Sequence, residues 1–495
     1  MFARVLPQVY VLITSVVAAR FLGPDGMGRQ SFIAFVALST TMLLTSGISL
    51  SLMRYVGEEL GADRPGTALD LVRWAWRLTG VAATLGGAFL LTLAATGADP
   101  TGAWVFAAIG SVLGTLHAVP SSVLIGAQRW RDATIVGLTT ATISVPATIV
   151  VLAAGGGITG IFAVEAVVAG ANLIFTSRLA RRAARRLSAP PDRDPRVRRG
   201  MIRYAAWTTI SVLLTLIVFR RSEFFFLDVW SSDSEIALYS IAFAAINALM
   251  LGFDACAATL LPAVATLHGA GDSARIRSGY SRTLRLILLV AFPVTAGVLA
   301  VGPELVRLLY GDDYSGTAPV LRVMAVVLPV VPLMYVGNAL LVGLGSLFPM
   351  MIAGGAAAAV NVGLAFLLIP PYDAVGAALA SAGAQLVVAA AIALYCWKVV
   401  GEPPLRIRGA IRISLASALS GLAAWQLVEL APGVPGVVAG TIGGAVVFFV
   451  AGRLLSVLSR EDAEWLVLAT GGGRMSRAIA PACRFLSARA ATGGG

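Results

Sequence analysis

Charge is scarce in this chain of 495 residues: 13% of its residues are charged, against about 25% in an ordinary soluble domain. Cysteine is also scarce. Cys256, Cys396 and Cys483 stand far apart with no metal-ligand spacing, so no disulfide framework is implied. There are two histidines, His117 and His268, far apart in sequence, and no histidine-based metal or catalytic centre is expected. No G-x-x-x-x-G-K-[ST] occurs, which removes a Walker-type ATP site. The first apolar run carries no A-x-A cleavage site, so removal of a signal peptide is not expected.

What remains is hydrophobic: 58% of the residues, with a mean hydropathy of +0.86. A hydrocarbon core ~30 Å thick takes roughly 20 apolar residues per helix. The chain reads as fourteen such stretches, from 3–21 to 434–458, with little aqueous sequence between them. The runs are continuous and do not alternate with period two, which excludes an outer-membrane barrel. The expected fold class is therefore an all-α polytopic membrane protein of about 14 transmembrane helices. So little soluble sequence argues against a membrane-embedded glycosyltransferase or polymerase, which needs a sizeable aqueous loop. Asp312-Asp313 is the only acidic pair in the larger outer loops. No catalytic residues, cofactor or metal are expected; the composition points to moving something across a membrane.

The net charge of +12 comes almost wholly from arginine and sits in alternate loops. Those after spans two, four, six, eight and twelve are basic, and the segment Arg178 to Arg203 is the richest. The intervening loops lack Lys and Arg or are acidic, with Arg20, Arg29, Arg307 and Arg322 as exceptions. This is an orientation signal and not a nucleic-acid footprint. It predicts a multi-pass protein of the cell (cytoplasmic) membrane with both termini cytoplasmic. The basic loops also suit contact with anionic membrane lipids.

The chain repeats itself. Gln30-Ser-Phe-Ile-Ala-Phe after the first outer turn parallels Tyr239-Ser-Ile-Ala-Phe in the second half. Gly157-Ile-Thr-Gly160 parallels Asp373-Ala-Val-Gly376. Two pseudo-repeated six-helix lobes plus two C-terminal helices follow: an N-terminal lobe (1–180), an Arg-rich cytoplasmic connector (181–202), a C-terminal lobe (203–400), the last two spans (401–458), and a cytoplasmic tail (459–495) read as partly disordered. Transporters built of such halves hold substrate between them.

An ionisable residue at mid-span costs at least ~2.5–3.5 kcal/mol and faces a cavity or a partner. Arg220-Arg221-Ser-Glu223 falls in the outer half of span seven, where Arg220 and Glu223 at i and i+3 can pair, or Arg221 can meet substrate. In span eight Ser240, Asn247 and Asp254 recur every seven residues on one face. Such a stripe suits either a water-filled cavity or an interhelical hydrogen-bond seam. Span six repeats the device with Glu165 and Asn172, and span two has Thr41, Thr45 and Ser49 before Arg54. Pro120, Pro146, Pro329 and Pro332 mark kinks, and Gly440-x-x-x-Gly444 marks a close helix contact.

Ala19-Arg-Phe-Leu-Gly-Pro-Asp-Gly-Met-Gly28, with Leu52-Met-Arg-Tyr-Val56 closing span two, resembles the opening of polysaccharide-biosynthesis flippases. Glu304-Leu-Val-Arg-Leu-Leu-Tyr-Gly-Asp-Asp-Tyr314 and Asn361 to Gly376 resemble later parts of the same proteins. These are the Wzx-like lipid-linked oligosaccharide flippases of the multidrug/oligosaccharidyl-lipid/polysaccharide exporter superfamily, and the resemblance covers roughly residues 1–400. It implies a two-lobed, alternating-access transporter of a polyprenyl-diphosphate-linked oligosaccharide. Fourteen spans also resemble the lipid II flippases. Arg54 then receives the anionic headgroup, with Arg221, Arg220 and Asn247 as further cavity candidates. A cation-coupled multidrug exporter is the alternative, with Glu165, Glu223 and Asp254 as coupling-ion candidates. Expected partners are the lipid-linked anionic glycan, membrane lipids, and polysaccharide polymerase and glycosyltransferases, with no nucleic acid.

Overall fold

The computed structural model describes residues 2–185, 190, 192–219, 222–346, 348–401, 407–458, 461, 463, 464, 481 and 486. No β-strand occurs among them. The helices are α1 (Phe2–Gly61), α2 (Pro65–Ala95), α3 (Thr101–Gly126), α4 (Trp130–Ala153), α5 (Gly157–Arg185), α6 (Pro195–Phe219), α7 (Glu223–Trp230) and α8 (Asp233–Ala257). They continue as α9 (Leu260–Gly269), α10 (Ser273–Tyr310), α11 (Thr317–Val326), α12 (Val331–Gly343), α13 (Phe348–Val400), α14 (Ile407–Leu430) and α15 (Val434–Leu454). The tail beyond Leu458 lies almost wholly outside the described residues.

Among the described residues, ten helical segments are long and apolar enough to cross a membrane, and α11 with α12, bent by 46°, makes an eleventh. Two of the ten are double, because α1 breaks at Gly23 (φ 70°) and α13 at Asp373 (φ 47°). With α6 and α7 in the place of span seven, the spans come to the fourteen read from the sequence. Of the predicted kinks, only the one in span ten is a break. Pro332 opens α12 just past the bend, whereas α3 runs on through Pro120 and α4 through Pro146.

The internal repeat reappears in backbone geometry. Gly157 (φ 55°) and Asp373 (φ 47°), the first residues of the two matching turns, both adopt the left-handed conformation. That costs a glycine little and an aspartate more, since only short polar side chains tolerate it. Three residues past the start of its turn, Gly376 lies so close to the backbone of Leu368 and Ile369 that a Cβ would stand 2.9 Å from the Ile369 nitrogen.

Two compact units divide the chain, Met1–Ala237 and Leu238–Gly495. They therefore part inside α8, and α6 packs along α1 within the first unit. Close approach makes this packing possible: a Cβ on Gly47 of α1 would lie 2.6 Å from the Ala205 carbonyl of α6. The Arg-rich stretch is largely helical, since α5 runs to Arg185 and α6 starts at Pro195. Its linking segment docks on α2: the Asp192 N–H donates to the Gly66 carbonyl at 3.0 Å, and Arg198 donates to buried Asp70 at 2.7 Å.

In the second unit α14 and α15 form a hairpin that packs on α10. Gly440 and Gly444 face α14, as the small-residue spacing predicts, and the Ser420 hydroxyl donates to the Gly444 carbonyl at 2.7 Å. Near the end of α10 Glu304 accepts the Gly433 N–H at 2.7 Å, tying the hairpin turn to that helix.

Candidate functional site

Arg54 sits near the end of α1, four residues before Glu58 on the same helical face. Its Nε donates to Glu58 Oε1 at 2.8 Å, and both side chains are about half exposed (49% and 48%). The guanidinium also lies over two rings, 5.5 Å from the centroid of Tyr55 and 4.9 Å from that of Tyr204. The rings meet edge to face, 6.5 Å apart. Tyr204 belongs to α6, and Gly200 one turn earlier leaves room for Tyr55: a Cβ there would stand 2.8 Å from the Tyr55 hydroxyl.

The energies say what this arrangement can do. An exposed i, i+4 ion pair is worth about 0.3–0.5 kcal/mol, so Glu58 holds Arg54 only weakly. Each exposed cation–π contact adds about 0.5–1 kcal/mol. The rings thus orient the guanidinium plane, while its hydrogen-bonding edge can exchange Glu58 for a stronger bidentate phosphate. Sequence reasoning found Arg54 but missed Tyr204. The adjacent Tyr55 and the i+4 Glu58 were legible signals; the ring from α6 was not.

Three polar pairs in the first unit bridge neighbouring helices. Thr41 of α1 and Ser111 of α3 share a hydrogen bond of 2.7 Å. Thr140 of α4 donates to Asn172 of α5 at 2.8 Å. His117 of α3 lies 3.2 Å from the Thr176 hydroxyl of α5. Glu165 does not share the fate of Asn172, since it is exposed on α5.

One end of this unit carries a cluster of aromatic rings and an ion pair. Phe35 packs edge-on against Phe224 (5.3 Å) and Phe225 (5.0 Å), and Phe32 against Trp104 (6.2 Å). Arg29, an exception to the loop-charge alternation, donates to Asp228 at 3.0 Å and to the Asp99 carbonyl at 2.7 Å. Arg307, another exception, is held by Glu304 at 2.6 Å and Asp312 at 3.3 Å.

Glu223 is buried in the first turn of α7, beside the aromatic cluster and away from Arg54. Arg220 and Arg221 lie outside the described residues. Asn247 and Asp254 are half-buried on α8, within the second unit, where Ser240 is buried. Among the described residues no group of three His, Cys, Asp or Glu side chains is placed to hold a metal ion.

This helical order has counterparts among known proteins. The family profile described as polysaccharide biosynthesis protein matches residues 17–319. The chain belongs to that polysaccharide biosynthesis family. The matched region takes in Arg54, Tyr204 and the arginine-rich stretch between α5 and α6. The fold of this polysaccharide biosynthesis protein is also that of a solved lipid II flippase, MurJ, in its inward closed conformation. The TM-score is 0.74 at 13% identity, over 92% of this chain and 97% of that one. An inward-facing multidrug resistance MATE family transporter of the MOP superfamily matches with a TM-score of 0.69 at 14% identity, over 80% of this chain and 94% of that one. No curated protein matches the sequence. The family member is thus a multi-pass membrane protein with the fold of the multidrug/oligosaccharidyl-lipid/polysaccharide exporter superfamily.

Proposed function

We propose that this protein flips a polyprenyl-diphosphate-linked oligosaccharide from the cytoplasmic to the outer leaflet of the cell membrane by alternating access. The observation that carries the reading is Arg54: a half-exposed guanidinium oriented by Tyr55 and Tyr204 and only weakly paired to Glu58. A diphosphate offers the planar, bidentate anion that such an arginine prefers. Membership of the polysaccharide biosynthesis family supports a glycan cargo. A lipid II-type cargo carries the same diphosphate and meets Arg54 in the same way.

No covalent step and no ATP are needed. An inside-negative potential favours outward movement of an anion by ~2.3 kcal/mol per charge per 100 mV, or ~4–5 kcal/mol for an uncompensated double charge. Arg221, Arg220 and Asn247 are proposed as further contacts along the path. Glycosyltransferases and polysaccharide polymerase are proposed partners, upstream and downstream of the flip respectively.

One observation favours a second reading, a cation-coupled multidrug exporter: Glu165 is an exposed carboxylate on a membrane-spanning helix, which suits proton or sodium exchange. Glu223 and Asp254 would share that role. Proteoliposomes decide between the two. Fluorescent lipid-linked oligosaccharide should cross in the wild type and stall in Arg54→Gln, whereas cationic dyes should not accumulate against a proton or sodium gradient. Unchanged glycolipid flipping in Arg54→Gln removes the assigned role.

A further inference from the structure

A cavity of about 180 Å³ opens between α1, α2, α3 and α5, at the end of the first unit that the basic loops assign to the cytoplasm. Val56, Leu60, Val72, Trp76 and Val123 make its wall apolar, and Ala180 and Ser177 form the α5 side. It is narrower than the ~300–1,000 Å³ of a pocket for a compact drug-sized ligand. Its apolar wall suits part of a hydrocarbon chain and offers a polar sugar headgroup few partners.

Its opening is charged. Arg181 lines the cavity and is exposed, so it stands at the mouth. Arg178, at i−3, extends the basic patch along the same face of α5 and is braced 6.0 Å above the Phe175 ring. The connector's Arg193 and Arg198 share the buried carboxylate of Asp70. Arg181 and Arg182, by contrast, have no carboxylate partner among the described residues. An apolar slot below an uncompensated arginine cluster at the membrane boundary is the arrangement that recognises an anionic lipid: chain in the slot, phosphate on the guanidinium.

We infer that this cavity is a binding site for one anionic glycerophospholipid of the cytoplasmic leaflet, with an acyl chain between α1, α2, α3 and α5 and the phosphate on Arg181. It is separate from the headgroup site proposed above. Val56 lines the cavity and Arg54 precedes it by two residues on α1, a turn of about 200° around the helix axis. The lipid therefore acts as a wedge on the far side of α1 from Arg54. There it buttresses the packing of four helices without lying on the transport path.

The test reads bound lipid and not transport, so its outcome is independent of the flippase reading. Full-length protein, delipidated in detergent, is titrated with phosphatidylglycerol or phosphatidylcholine and followed by native mass spectrometry. The wild type should retain phosphatidylglycerol in preference to phosphatidylcholine. Arg181→Gln should weaken phosphatidylglycerol about fivefold, the equivalent of ~1 kcal/mol for one basic contact, and erase the preference. Ser177→Trp, which fills the slot, should abolish retention of both lipids. Its circular dichroism checks folding, and if it misfolds the Arg181→Gln titration decides alone. Equal retention by wild type and Arg181→Gln overturns the site. So does displacement of phosphatidylglycerol by equimolar polyprenyl phosphate, which would make the cavity a loading station for cargo.

Discussion

The guanidinium of Arg54 on α1 lies 4.9 Å from the ring centroid of Tyr204 on α6, a cation–π contact that joins the end of span two to the start of span seven. It places a charged, half-exposed side chain at a fixed orientation without burying it. A buried arginine would cost several kcal/mol to desolvate, and a free one would sample many rotamers. An aromatic shelf with one exposed carboxylate avoids both penalties.

Arg54→Lys should keep the charge yet lose much of the transport rate, because an ammonium lacks the planar fork. Tyr204→Leu should slow transport by about two- to fivefold, the loss of one exposed cation–π contact worth about 0.5–1 kcal/mol, while Tyr204→Phe stays near wild type. Initial rates of glycolipid flipping in proteoliposomes measure all three.

Filling the α1–α6 contact should destabilise the first unit. Gly47→Val sets a side chain against the Ala205 carbonyl, and overpacking of this kind costs typically 1–3 kcal/mol. Thermal unfolding in detergent should show a lower midpoint, with Gly61→Ala, a site with open space, unchanged.

Arg29 and Asp228 should prove coupled. Each is partly screened (22% and 31% exposed), so either single alanine should weaken closure of α7 onto α1. The double alanine variant should cost less than the sum of the two, by about 0.5–3 kcal/mol. Cross-linking of cysteines placed at positions 32 and 225 reports that closure.

Glu304→Ala should free the α14–α15 turn. The Glu304 carboxylate accepts the Gly433 N–H, and a hydrogen bond to a charged group contributes about 1.5–3 kcal/mol. Hydrogen exchange at Gly433 should accelerate by at least about tenfold, with amides in α3 unaffected.

Asp254→Asn and Glu165→Gln separate the two transport readings. Under the flippase proposal, glycolipid flipping driven by membrane potential alone persists in both variants. Loss of a proton- or sodium-driven rate in either would assign the driving force to that carboxylate.

Some of the candidate site was legible in the chain and some was not. Arg54 stood out because a charged residue closing an apolar run is rare and local. The matching turns at Gly157 and Asp373 were legible because a tight reversal demands particular residues at particular positions. Thr41 was legible as part of a polar face, but its partner Ser111 on α3 was not. The same holds for Asn172 and its partner Thr140. Glu165, on the same periodic face by spacing, stayed exposed. Periodicity gives the face of a helix but not the neighbour that covers it.

By itself the chain determined fourteen spans and an all-helical class. Each of these follows from a requirement that acts along the sequence, since every backbone group within a bilayer must find its partner inside its own helix. Only tertiary packing decided that Tyr204 shelters Arg54, that Asp228 neutralises Arg29, and that a slot opens beside Arg181. Between membrane helices the hydrophobic effect no longer selects a partner. Small residues, hydrogen bonds and close van der Waals contact do so instead, and these depend on residues far apart in the chain.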